Sequence, residues 1–509
     1  MTEQTAAWPF TEWASDDPLP PRGQAWDLLV VGGGTAGLVA ARSAASLGAS
    51  VLLVERDRIG GDCLWTGCVP SKALLSAATA AADARDAGRF GVRTGPVTVD
   101  GPAVLAAVRR AIATIEPTDS PDAMRASGVR VVHASVRFLA PDRATLTGDD
   151  VDAVVRFRQA LIATGSDPVV PPIDGLDEPL TNETVFDLPD LPARLLVVGG
   201  GSVGCESAQA FARLGTVVTL VESARRILPG EDADASRLVV DALRADGVDV
   251  RSATSLQRVS RTPAGRRVHL DDGGEFEVDA VLVATGRRSR TAGLGLDAAG
   301  VRVDDRGNVT TDDRLRTSNP RIWAAGDVTG GPRFTHTAGV AGTTVAGNAV
   351  LGLRRSLDVA TNPRVTYTSP EVAAFGVGAA EAAEKGLTVR TSHHDEVDRA
   401  LVDGRSAGFS RLVLDGRGRV VGATVVSPRA GESLAELVLA ARHGLRARDL
   451  AATTHAYPTY GDGVWKAAIA EATAVLSGRS ARRAIATAAG LRRRWVSRRT
   501  IRSKAQPMT

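Results

Sequence analysis

Two stretches of this chain repeat one pattern. From Trp26 an apolar strand, DLLVVG, runs into a glycine turn, an alanine-rich helical stretch from Ala36 to Ser46 and a second strand from Ser50 to Glu55. The same succession returns at residues 193–222, ARLLVVGGGSVGCESAQAFARLGTVVTLVE. A β-α-β unit commits its chain to a parallel sheet covered by helices. Two of them imply an α/β fold with two dinucleotide sites, or one site and a degenerate copy.

The glycines of the first unit are Gly32, Gly34 and Gly37, and those of the second are Gly199, Gly201 and Gly204. In each trio the first glycine permits the tight strand-to-helix turn, the second lets a pyrophosphate reach the backbone, and the third allows close helix packing. The helix N-terminus adds positive potential for the phosphates. Each second strand ends in a carboxylate, Glu55 and Glu222, placed for a ribose hydroxyl. Glu222 would repel the extra phosphate of NADP, which favours NADH, while Arg225 and Arg226 directly after it keep NADPH open.

A chain of 509 residues has room for several cores. Its 44 % hydrophobic and 23 % charged residues fit a globular protein and exclude a disordered or fibrous one. A helical region is expected around residues 102–115, then β-rich segments closing at LIATGS (161–166), strands around VHLDD and FEVDAVLVATG, and the segment RIWAAGDVTG at 321–330. From Pro363 strand-like pieces (GFSRLVLD, RVVGATVV) mix with helices (SLAELVLAARHG, VWKAAIAEATAVL), marking an α+β domain at about 362–478. No apolar run reaches the roughly 18 residues that span a bilayer, and MTEQTAAWPFTEWASDDPLPP is unlike a signal peptide, so a cytoplasmic protein is expected.

Only three cysteines occur. That count excludes a secreted disulfide scaffold and makes a close pair a candidate for catalysis or metal binding. Cys63 and Cys68 are such a pair, in GGDCLWTGCVPSKALL at residues 60–75. A disulfide needs α-carbons within roughly 7 Å, whereas five residues of helix rise roughly 7.5 Å, so bonding them demands a distorted first turn, which Gly60, Gly61, Gly67 and Pro70 suit. A helix N-terminus there would stabilise a thiolate. The alternatives are two buried cysteines or half a metal site, and no second pair exists to complete four thiolates. Cys205 reads as a packed small hydrophobe.

With both fingerprints, the cysteine motif, the ATG segments at 163–165 and 284–286 and the AAGDVTG segment, the chain from about 26 to 475 resembles the pyridine nucleotide-disulfide oxidoreductases, the family of dihydrolipoamide dehydrogenase, glutathione reductase and mercuric reductase. The resemblance implies an FAD domain in two segments (26–166 and 287–361), an NAD(P) domain (167–286), a dimerisation domain (362–478), an N-terminal extension (1–25) and a basic tail (479–509). It implies FAD and NADH as cofactors and a homodimer. Cofactor contacts would come from the six fingerprint glycines, Glu55, Glu222, Gly61, Thr164, Gly165, Gly286 and Asp327. Cys63 would exchange with substrate and Cys68 would face the flavin. Lys72 would lie near flavin N5 and pair with Glu206, a carboxylate that keeps the lysine charged beside the reduced flavin.

The end of the chain departs from the family. Its disulfide reductases carry a His-Pro-Thr segment whose histidine, oriented by a glutamate five residues on, protonates the leaving thiol. Here HAYPTYGD (455–462) puts Tyr457 at the histidine's place and Asp462 at the glutamate's. A phenol of pKa roughly 10 is a poor base near neutrality, and His455 is offset by two positions. Mercuric reductases also carry a tyrosine in this region, but the cysteine pair of their C-terminus and the amino-terminal metal-binding module of some are missing. Ser202 replaces a tyrosine that covers the flavin in glutathione reductase, leaving that face more open.

Three functions follow. The first is an FAD-dependent, mercuric-reductase-like NAD(P)H oxidoreductase that reduces a metal ion, quinone or other small acceptor through a Cys63–Cys68 disulfide. The second is a dihydrolipoamide dehydrogenase or other disulfide reductase using His455 or Asp462. The third is a non-catalytic flavoprotein sensor. The tail adds ten Lys/Arg and no acid to a body of 51 bases and 58 acids, either a solvated or disordered end or a weak contact for an anionic surface; no specific nucleic acid is expected.

Overall fold

The computed structural model describes residues 24–263 and 265–504. Most of the N-terminal extension and the last five residues of the tail lie outside them. The described residues fall into two units, one of 24–229 with 240–359 and the other of 230–239 with 360–504.

In the first unit the strand Ala25–Val31 is buried because every residue from Leu28 to Val31 is apolar. Such a strand is satisfied only inside a sheet covered on both faces. It pairs in parallel with Val51–Glu55 on one side and with the long strand Val151–Ile162 on the other. Val129–His133 extends the sheet beyond Val51–Glu55, and Ile322–Ala324 joins from the far end of the chain, parallel to Val151–Ile162. The outer half of Val151–Ile162 leads an antiparallel extension through Arg143–Gly148 and Ser135–Ala140. The helix between the first two strands, Thr35–Ser46, packs beside Thr335–Leu351. Their backbones approach closely: a Cβ on Gly342 would lie 2.5 Å from the Ala36 carbonyl oxygen.

A second parallel sheet holds Asp249–Ser252, Val217–Glu222, Arg194–Val198 and Ala280–Val283 in that order. An antiparallel trio, Leu256–Thr262, Gly265–Leu270 and Glu275–Val278, accompanies it. The chain enters this region through Ser166–Pro168 and leaves through Arg287–Ser289, and these two segments pair antiparallel. The helical region expected around 102–115 runs from Gly101 to Asp119, started by the Asp100 carboxylate, which accepts from the Ala103 N–H.

The second unit is a five-stranded antiparallel sheet, Arg364–Thr366, Glu371–Gly376, Val420–Ser427, Phe409–Leu414 and Thr388–His393 in order, with the helices Ala430–Arg442 and Asp462–Ser477. Residues 230–239 belong to it through ion pairs: Arg364 to Glu231 at 2.7 Å, and Arg411 to Asp232 at 2.8 Å and to Asp234 at 2.5 Å. The tail corrects one expectation. Rather than a disordered end, Arg479–Lys504 is a helix, as its alanines, arginines and leucine favour. No helix among the described residues is long and apolar enough to cross a membrane.

The packing at Gly342 has a direct test. Gly342→Ala is expected to lower stability by about 1–3 kcal/mol through overpacking. Gly339→Ala in the same helix, whose Cβ would meet nothing closer than 3.8 Å, should be neutral or stabilise by up to about 1 kcal/mol. Thermal melts of the two variants compare them, and equal melting temperatures would remove the argument.

Candidate active site

The segment after the first β-α-β unit forms two helices, Gly61–Trp65 and Cys68–Asp86, where the sequence suggested one helix with a distorted first turn. Gly60 and Gly61 start the first from left-handed backbone, and Gly67 breaks the run where a Cβ would lie 2.6 Å from the Asp62 carbonyl oxygen. Cys63 sits half-buried on the short helix, and Cys68 is exposed at the first position of the long one. Both are free thiols, near enough to perturb each other's ionisation. Cys68 Sγ also lies 3.1 Å from the Thr335 hydroxyl.

This contact distributes one proton unequally. The neighbouring Cys63 thiol brings the Cys68 thiol down to about 6, helped by Thr335 and the Lys72 cation and opposed by burial and Glu206. Cys63 is pushed well above the ordinary thiol range by the Cys68 sulfur beside it, with burial adding to the effect. Near neutrality the dithiol therefore holds its thiolate on Cys68. Cys205 is fully buried, donates to the Gly200 carbonyl at 3.4 Å and has its thiol pKa raised by burial, so it stands apart from this chemistry.

One turn beyond Cys68, Lys72 Nζ donates to Glu206 Oε2 at 2.7 Å. Glu206 is buried on the helix Ser202–Arg213, so the pair joins the cysteine helix to the helix of the second β-α-β unit. The two glycine turns match in detail. A Cβ on Gly37 would lie 1.9 Å from the Gly32 oxygen, and one on Gly204 1.8 Å from the Gly199 oxygen. The middle glycine of each turn, Gly33 or Gly200, donates its N–H at 2.6 Å to the carboxylate ending the next strand, Glu55 or Glu222. The other oxygen of Glu55 accepts from Arg56 and Asp57, and that of Glu222 from Ala224. Both carboxylates thus shape their turns, a role the spacing did not reveal.

A cradle for a dinucleotide is present at the first turn. Gly34 and Gly61 come so close that a Cβ on Gly61 would lie 2.7 Å from Gly34 Cα, and one on Gly34 would meet Gly61 Cα at 3.9 Å. These residues fit FAD, whose pyrophosphate needs bare backbone at a helix N-terminus. Asp327, just after Ile322–Ala324, accepts from the Ser166 hydroxyl at 2.7 Å. Thr164 donates its hydroxyl to the Arg290 carbonyl, and Gly165 and Gly286 take positive φ beside the paired crossing segments. In the second turn nothing approaches Gly201 within 4 Å.

Sequence reasoning missed an ionic cluster at these crossings. Arg287 bonds Asp62, the neighbour of Cys63, and also Ser166 and Asn182. Arg290 bonds Asp167 and Glu183. Burial raises the carboxyl pKa of both Asp62 and Glu183, with neighbouring acids adding to the shift and the arginines opposing it. Only the adjacency of Asp62 to Cys63 was visible in the sequence.

In the second unit Tyr457 is 71 % exposed and donates its hydroxyl to Asp398, whose charge raises the phenol's pKa. Asp462, expected as the orienting carboxylate, adds to that shift but makes its own bond to the Thr459 N–H at 3.3 Å. It is buried in the first turn of its helix. His455 has both ring nitrogens engaged, Nδ1 with the Thr453 carbonyl at 2.9 Å and Nε2 with Glu436 at 2.9 and 3.1 Å.

Comparison with known proteins gives the family. Residues 26–342 match the model of the pyridine nucleotide-disulphide oxidoreductases, and residues 362–468 match that family's dimerisation domain. The chain belongs to the pyridine nucleotide-disulphide oxidoreductase family. It is 39 % identical to a mercuric reductase of Streptomyces lividans over 87 % of this chain and 95 % of that one. It is 33 % identical to a dihydrolipoyl dehydrogenase of Geobacillus stearothermophilus, with the same two coverages. Among solved structures, LpdA from Mycobacterium tuberculosis aligns with a TM-score of 0.80 at 29 % identity, over 87 % of this chain and 98 % of that one. The Cu(II) complex of the HOCl-induced flavoprotein disulfide reductase RclA from Escherichia coli aligns with a TM-score of 0.78 at 25 % identity, over 87 % and 99 %. The protein is an FAD-dependent enzyme that uses NAD(P)H, which sets aside a non-catalytic sensor.

The proton distribution is testable in the reduced enzyme. Iodoacetamide labelling of Cys68, mapped by mass spectrometry, should rise through a midpoint of about 6, with Cys63 labelling only at much higher pH. Lys72→Met, which removes the cation, should move the Cys68 midpoint upward. A shared midpoint at the ordinary thiol value of about 8.5 would overturn the assignment.

Proposed function

We propose that the enzyme is mercuric-reductase-like and reduces a soft metal ion, a quinone or another small acceptor that needs no proton delivered to a leaving thiolate. The observation behind this reading is the environment of Tyr457. Its phenol is bound to Asp398 and its pKa is raised, so it remains protonated and is a weak acid as well as a weak base near neutrality. His455, the nearest imidazole in sequence, is occupied on both nitrogens. Mercuric reductases among the relatives and a neighbour described as a Cu(II) complex support a thiophilic ion as acceptor.

FAD, when bound, takes hydride from the nicotinamide cofactor and passes two electrons to the cysteine pair. The Gly32–Gly34–Gly37 turn, Glu55, Gly61 and Asp327 would hold it, with Thr164 and Gly165 shaping the adjoining backbone. Lys72, held by Glu206, would set a cation beside the flavin ring, and Thr335 holds the Cys68 sulfur. Cys68 keeps its thiolate on the flavin side, which leaves Cys63 to meet the acceptor. The homodimer suggested by the dimerisation domain would bring Tyr457 of a second copy to that acceptor.

Gly199, Gly201, Gly204 and Gly286 form the nicotinamide-cofactor side of the reading, and the preference is for NADH. Glu222 places a carboxylate at the ribose position, and Arg226 donates to the Leu228 and Pro229 carbonyls instead of facing a 2′-phosphate. Steady-state kinetics should give NADH a kcat/KM about tenfold or more above that of NADPH, and a reversed ratio would reject the preference. For the acceptor, turnover with Hg(II) or a quinone should exceed that with lipoamide or glutathione disulfide by about 100-fold. Tyr457→His should raise disulfide turnover by about tenfold or more. Comparable wild-type turnover of lipoamide would favour the second reading, a dihydrolipoyl dehydrogenase, which the Geobacillus relative supports.

A further inference from the structure

The helix Arg479–Lys504 lies beyond every residue that the family models match. Its described side chains divide by face. With successive residues turned about 100°, Ala484, Ile485, Ala488, Leu491 and Trp495 fall on one side, and Arg482, Arg483, Arg493 and Arg494 on the other. The large apolar side chains stay out of the hydrophobic core: Ile485 is 48 % exposed, Leu491 61 % and Trp495 44 %. Arg492 lies within the apolar side, but its guanidinium stacks over the Trp495 ring at 4.5 Å, leaving the apolar strip continuous.

We infer that this helix is an amphipathic anchor that lies in the surface of an anionic lipid bilayer. Ten basic residues and no acid after Gly478, set beside a body in which acids outnumber bases, concentrate the chain's positive charge at one end. Nucleic acid would match that charge but would draw nothing from Ile485 and Leu491. An anionic bilayer surface takes both faces at once, with arginines among headgroups and apolar side chains and the indole just below. The helix is too polar to cross the membrane and has the composition of one that lies on it. This inference does not depend on which acceptor the enzyme reduces.

The test uses the flavin-loaded, full-length enzyme and extruded vesicles of phosphatidylcholine alone or mixed with phosphatidylglycerol. Co-sedimentation with the anionic vesicles is expected to exceed that with neutral ones by about tenfold and to fall as salt is raised. The variant R482E/R483E/R493E/R494E should lose this binding. L491A/W495A, which keeps every charge, should weaken it severalfold, since binding also scales with buried apolar area. Unchanged NADH oxidation by both variants verifies that they are folded. No sedimentation of the wild-type enzyme, equal sedimentation with both vesicle types, an unaffected L491A/W495A variant, or retention only by a DNA duplex overturns the inference.

Discussion

The dithiol exists because a helix stops at Gly67. Had residues 61–86 formed one continuous helix, Cys63 and Cys68 would stand on different sides and roughly 7.5 Å apart along its axis. The carbonyl of Asp62 closes the space beside Gly67, so a side chain there would push the two short segments apart. The break brings the two sulfurs into contact and makes Cys68 the first residue of a 19-residue helix. Lys72 follows one turn later, and the buried Glu206 fixes that lysine from another helix. Sulfur position, thiolate preference and placement of the cation all follow from this one interruption.

Much of this was legible because it is local. The strand–turn–helix rhythm of residues 26–55 and 193–222 depends on neighbours in sequence, and the elements fall within a residue or two of where the pattern puts them. The Lys72–Glu206 pair spans 134 residues and is invisible to spacing; only family resemblance brought it into view. The Arg287 and Arg290 cluster had no such aid. Arginine is so frequent in this chain that two more after a strand attract no notice, and their partners lie as far as 225 residues away. The tail fell between these cases: its charge was plain, but its two-faced character depends on the phase of five apolar side chains among many arginines.

The C-terminal segment shows a different limit. Sequence placed Tyr457 where a histidine was expected and Asp462 at the place of the orienting glutamate, but an offset along the chain does not fix which carboxylate a side chain meets. Asp398, at the start of the helix Asp398–Val402, takes the phenol's hydrogen bond, while Asp462 bonds its own loop. His455, which the spacing left as a candidate base, is tied down by Glu436 from 19 residues upstream. In each case the chemistry of the residue type was readable, and its availability depended on tertiary neighbours.

The two crossings between the parallel sheets of the first unit, Ser166–Pro168 and Arg287–Ser289, run side by side as a short antiparallel ladder. This ribbon works alongside a second tie, the helix Cys68–Asp86 packed on Ser202–Arg213 and joined to it by the Lys72–Glu206 pair. Arg287 lies on that ribbon and holds Asp62, one peptide from Cys63. The strand pair that carries the chain into and out of the second sheet is thus tied by one arginine to the short helix that carries Cys63.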